Sequence, residues 1–116
     1  MTDSRRSLPL LKGTLDLLVL KALTRGANHG YGIATWLERC SAGDLDVDDS
    51  ALYQALHRLE GRRLVEAEWG MTENNRRARY YRLTAAGVRH LREESTIWFR
   101  YTRSVSAILS LDSTGA

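Results

Sequence analysis

Between Thr84 and Leu111, the residues Val88, Leu91, Ser95, Trp98, Thr102, Val105 and Leu109 recur at alternating intervals of three and four. That spacing is a heptad seam with two polar interruptions, and it predicts one long helix capped by Thr84. At about 1.5 Å per residue the helix runs about 40 Å. A chain of 116 residues, 43% of them hydrophobic, builds one compact domain and cannot cover such a helix along its whole length. A single copy would leave Val88, Leu91, Trp98, Val105 and Leu109 in water along one stripe. Burying side chains of this size is worth about 1.5–3 kcal/mol each, so a homodimer is expected.

Several classes drop out early. The longest apolar run is Leu17-Leu18-Val19-Leu20, far short of a membrane span, and residues 1–7 lack the apolar core of a signal peptide. The lone Cys40 forms no internal disulfide and no cysteine-only zinc site, so a reduced, cytoplasmic setting is expected. The net charge is only +3, but fifteen of the seventeen cations are Arg, the others being Lys12 and Lys21. The charges are also segregated. Asp44, Asp46, Asp48 and Asp49 form one acidic stretch, while Arg76, Arg77, Arg79 and Arg82 form a basic one suited to a polyanion.

Upstream of the long helix the periodicities alternate. Residues 13–25 read as a helix with Leu15, Leu18, Val19, Ala22 and Leu23 on one face. A second helix spans about 30–40, capped by Asn28 or His29, with Ile33, Trp36 and Leu37 inward. Leu45 and Val47 suit a very short strand. A third helix covers about 50–62, capped by Asp48, Asp49 or Ser50 and facing a core with Leu52, Leu56 and Leu59. Residues 64–69 alternate, a polar loop follows at 71–77, and the alternation resumes with Tyr81 and Leu83 inward, Tyr80 and Arg82 outward. That is a β-hairpin with a basic tip.

Helix, helix, short strand, helix, hairpin is the order of a winged helix-turn-helix. The expected fold is mainly α with a small β-hairpin: a winged helix-turn-helix over 1–84, then a dimerisation helix and short polar tail over 85–116. In this arrangement the third helix enters the major groove. Its outward residues Ser50, Tyr53, Gln54, His57 and Arg58 can hydrogen-bond base edges and phosphates. The wing offers Asn74, Asn75, Arg76, Arg77 and Arg79 to the backbone or the minor groove. His29 and Tyr31 open the second helix where backbone N–H groups meet a phosphate, and Gly30 and Gly32 would allow close approach.

Three segments in order carry a family resemblance: Gly30-Tyr31-Gly32-Ile33, residues 52–60 (Leu52-Tyr53-Gln54-Ala55-Leu56-His57-Arg58-Leu59-Glu60), and residues 79–87 (Arg79-Tyr80-Tyr81-Arg82-Leu83-Thr84-Ala85-Ala86-Gly87). Over about 12–111 the chain resembles the PadR family of transcriptional regulators. The resemblance implies a dimer of winged helices on double-stranded operator DNA, usually a repressor, held together by the C-terminal helix. It places Tyr53, Gln54 and His57 on the recognition helix and residues 75–79 on the wing. Two departures stand out. The recognition helix ends Glu60-Gly61-Arg62-Arg63, without the usual acid and glycine spacing, and the C-terminal region is a single helix, as in short members of the family.

No enzyme is expected. His29, His57 and His90 lack metal-ligand spacing, no nucleophile elbow, phosphate loop or dinucleotide fingerprint occurs, and neither cofactor nor metal is implied. The competing class is a winged helix that docks an acidic protein without specific DNA binding. Such a wing would carry exposed aromatic anchors, whereas this tip reads Asn, Asn, Arg, Arg. Ser95 and Thr102 loosen the seam on either side of Trp98, so Trp98 is either a packed anchor of the dimer or the place where a small aromatic effector, if there is one, stacks between two copies. Short members of the family use the dimer interface in this way.

Overall fold

The computed structural model describes residues 8–10 and 13–112, and the start of the chain and the tail at 113–116 lie outside the described residues. Strand β1 (Leu8–Pro9) is followed by helix α1 (Thr14–Ala22), a 3-10 turn (Leu23–Arg25), helix α2 (Gly30–Cys40) and strand β2 (Leu45–Asp46). Helix α3 (Asp49–Gly61), strands β3 (Val65–Met71) and β4 (Arg77–Leu83) and helix α4 (Ala85–Leu109) complete the order. The winged-helix reading holds: a mainly helical molecule with one antiparallel hairpin and a long final helix.

Helices α2, α3 and α4 begin where a side chain satisfies a free backbone N–H. Nδ1 of His29 accepts from the Gly32 amide, Asp48 Oδ2 from that of Ala51 and Thr84 Oγ1 from that of Gly87. Helix α1 starts instead from Gly13, whose φ of 87° suits glycine alone. The core gathers Val19 and Leu20 of α1, Ile33 of α2, Leu52, Leu56 and Leu59 of α3 and Val65 of β3, all fully buried. Trp36 of α2 is only partly covered.

Several boundaries differ from the sequence reading. The first helix stops at Ala22 and tightens into the 3-10 turn. The hairpin strands run on to Met71 and begin again at Arg77, which shortens the tip to 72–76. The short strand β2 pairs in parallel with β1, a partner that two residues around a proline do not announce. The last helix ends at Leu109. Its seam divides in two. Leu91 is buried against the domain, whereas Val88 is 41% and Leu109 79% exposed, and Trp98 and Val105 lie half-covered.

The end of α3 explains the displaced glycine. The amide of Leu64 bonds the Leu59 carbonyl and that of Arg63 the Glu60 carbonyl, closing a Schellman turn. Its left-handed position falls on Arg63, at φ 62°, while Gly61 sits inside the helix. Leu59 and Leu64 are both buried and make the apolar contact that accompanies such a turn.

One residue joins the hairpin to α4. Thr84 donates its amide to the Leu64 carbonyl (3.1 Å) and its hydroxyl to the Arg63 carbonyl (2.8 Å), and it caps α4 as well. The Leu64 carbonyl lies directly against the α carbon of Gly87, so α4 leaves the domain pressed onto the start of the hairpin. Helix α4 also packs on α1.

Candidate nucleic-acid interface

The inward stripe of α3 leaves Ser50, Tyr53, Gln54, His57 and Arg58 together on one open surface of the helix. Among the described residues nothing hydrogen-bonds the side chains of Ser50, Gln54 or His57, so their donors and acceptors face solvent. Tyr53 is 53% exposed, and its ring lies across Gly30 of α2. A Cβ at position 30 would stand 2.7 Å from the ring's Cζ. The space at Gly32 is filled in the same way by the Asn28 side chain. The two glycines therefore admit Tyr53 and Asn28, which corrects the expectation that they make room for a phosphate.

A second surface continues from Tyr53. A groove of about 1240 Å³ runs between α2 and the hairpin, lined by His29, Tyr31, Thr35 and Arg39 on one side and by Trp69 and Arg77 on the other. Tyr53 borders both surfaces, so α3, α2 and the wing present one continuous face. The groove is closed at its base by mutual backbone bonds between Asn28 and Tyr81 (3.0 and 2.8 Å), which tie the α2 entry to β4. Because Nδ1 of His29 accepts the cap bond, a neutral ring carries its proton on Nε2. That ring and the ring of Tyr80 stand perpendicular, 5.2 Å apart between centroids. Tyr80 is itself half-buried. Its ring covers Gly70 and its hydroxyl donates to the Met71 carbonyl at 3.0 Å, so it lies on the outward face with Arg82 but is partly covered there.

At the tip, Asn75 has a φ of 62° and supplies the left-handed turn position, its amide donating to the Thr72 carbonyl. Asn74 and Arg76 are exposed, and among the described residues the Arg76 guanidinium has no partner. Arg77 lies over the Trp69 ring at 4.5 Å.

The two remaining arginines are held by acids. Arg58 donates Nη2 to Asp16 Oδ1 (2.6 Å) and Nε to Oδ2 (3.3 Å). Arg79 donates Nη2 and Nη1 to the Glu60 carboxylate (2.9 and 3.1 Å), which ties β4 to the end of α3. In both cases the hydrogen bond to the carboxylate is the main reason the guanidinium pKa is pushed up from its ordinary value.

Sequence reasoning missed Asp16, Thr35, Arg39 and Trp69. Tyr31, Thr35 and Arg39 repeat every four residues opposite Ile33 and Leu37, a signal that helical period alone could have supplied. Trp69 shares the face of its strand that carries Val65, but that face outruns the core, leaving Trp69 59% and Met71 55% exposed. Asp16 gives no local signal, since its partner lies 42 residues away.

Comparison with known proteins agrees with this geometry. A model of the transcriptional regulator PadR-like family matches residues 19–93. A PadR family transcriptional regulator from Eggerthella lenta is 31% identical, with a TM-score of 0.73 over 87% of this chain and 86% of its own. A PadR-like regulator from Bacillus cereus shares the fold at TM-score 0.74 and 24% identity, over 88% of this chain and 97% of its own. A curated relative from Lysinibacillus sphaericus, itself uncharacterised, is 26% identical over 89 residues, 77% of this chain and 82% of its own. No helix among the described residues is long and apolar enough to cross a membrane. With residues 19–93, about two-thirds of the chain, inside the family match and the third helix and hairpin in place, the chain belongs to the PadR-like family of transcriptional regulators.

Proposed function

We propose that two copies pair along α4, with α1 flanking the seam, and bind an inverted-repeat operator as a repressor. Residues 1–84 form the DNA-binding unit and 85–116 the pairing unit. The observation that carries this reading is the single face shared by α3 and the wing, joined through Tyr53. Ser50, Gln54 and His57, with Arg58, suit base edges, whereas Arg76 and Arg77, with His29 and Tyr31, suit phosphates. A two-fold dimer asks for half-sites about one helical turn, ~10 bp, or a multiple apart. Selection from a randomised duplex pool tests this. An enriched inverted repeat supports it, and a pool that stays random after repeated rounds overturns it. Placing the enriched site across a promoter in a purified transcription assay then distinguishes repression from activation.

One observation favours docking to an acidic protein instead: Trp69 and Met71 are exposed on the wing. The Arg77 guanidinium over Trp69 makes that face cationic rather than apolar, which suits DNA better.

An effector, in this reading, is a planar aromatic molecule at the seam. Trp98 stands 6.4 Å from Tyr101 between ring centroids, and Thr102 turns its hydroxyl back to the Trp98 carbonyl (3.0 Å). A planar dye should quench tryptophan fluorescence saturably, and Trp98→Ala should abolish this while the dimer persists. Absence of quenching in the parent protein would leave Trp98 as a packing residue alone.

A further inference from the structure

Helix α1 carries one acid, Asp16, in its first turn, and its carboxylate is spent on the recognition helix. A carboxylate beside a face that meets a polyanion repels it, so its placement there calls for a compensating use. The geometry points to Asp16 as a positioning residue that holds Arg58 for reading guanine. This rests on the DNA-binding reading above and deepens it.

A guanidinium has five N–H donors on two usable edges. Asp16 occupies the side edge, taking Nε and one hydrogen of Nη2 at 3.3 and 2.6 Å. The end edge, formed by Nη1 and the second hydrogen of Nη2, remains open. That edge has the spacing of the guanine O6 and N7 pair. Ser50, Gln54 and Arg58 follow at intervals of four on α3, so Arg58 continues the row of base-facing residues. An unsupported Arg loses the freedom of a long side chain whenever it reads a base. Here Asp16 is 25% and Arg58 53% exposed, so the buttress is the better covered partner and the reader is the free one. Asp16 in turn is fixed by α1, whose Leu15, Val19 and Leu20 are in the core.

The test is duplex selection with the parent protein, Asp16→Ala, Asp16→Asn and Arg58→Ala, with the dimer and the thermal melt checked for each. The parent should enrich a guanine at one position per half-site, and Arg58→Ala should lose it. Asp16→Ala should weaken that same preference about tenfold while affinity for random duplex holds or rises, because a negative charge has gone. Asp16→Asn, which keeps one accepting oxygen, should lie between. Arg58→Ala combined with Asp16→Ala should discriminate no worse than Arg58→Ala alone. If Asp16→Ala keeps the parent's guanine preference, or gains affinity for every duplex equally with its ratios unchanged, the inference falls and the DNA-binding reading stands. If the parent itself enriches nothing, the DNA-binding reading falls.

Discussion

Arg63 holds a left-handed conformation at the end of α3, and Ala42 does the same after α2, at φ 62° and 54°. An L-residue in that region gives up about 1–2 kcal/mol, part of which glycine would return to its greater freedom in the unfolded chain. Arg63→Gly should therefore stabilise the fold by about 1 kcal/mol and raise the melting temperature by roughly 4 °C at fixed protein concentration. Calorimetry checks this, and an unchanged or lower melting point would mean that Arg63 makes a compensating contact. The same residue shows what local sequence can reveal. The irregular run Glu60-Gly61-Arg62-Arg63 was legible as a departure from the family pattern, but only the backbone shows that the turn kept its place and accepted an arginine. Gly30 is the converse. Its smallness was legible, but the occupant of the space, Tyr53, comes from 23 positions away and leaves no trace in local sequence.

Among elements, the helices and the hairpin were legible because burial imposes a period and caps mark the ends: Asp48, His29 and Thr84 each stand at an N-cap. Strand β1 was not, since two residues carry no period. On α4 the period identifies a seam, but not which half of it the domain already covers. Leu91 is committed to the domain, so the proposed pairing surface is centred farther along, at Trp98, Val105 and Leu109 with exposed Ile108 nearby. Val105→Glu should accordingly separate the copies without unfolding the winged helix, because each like charge would face its counterpart across the two-fold axis. Sedimentation should show a 13.1 kDa species with an intact far-ultraviolet spectrum. Leu91→Glu should unfold the domain instead. A Val105→Glu protein that remains paired at micromolar concentration would move the interface elsewhere.

For the molecule as a whole, a modest net charge of +3 coexists with a strongly basic wing, so affinity for DNA depends on where the cations lie. Arg76→Ala and Arg77→Ala should each weaken binding to all duplexes and flatten the salt dependence by about one contact. Gln54→Ala and His57→Ala should leave the salt dependence alone and reduce discrimination by about 1–3 kcal/mol at the affected base pair. Titrations at two salt concentrations, on selected and random duplexes, separate the two groups; identical behaviour would refute this division of labour. Thr84 bears on how such a dimer transmits movement. Sewn to both Arg63 and Leu64, and followed at once by α4, it leaves no slack between the pairing helix and the DNA-facing parts. The Glu60–Arg79 clasp then binds wing and reader into one piece. A helix of 25 residues, about 38 Å long, works on this piece as a tiller on a rudder. In the proposed dimer, a twist of a few degrees where the copies meet would have nowhere to dissipate, and it would arrive at the DNA as a change in the distance between two reading heads.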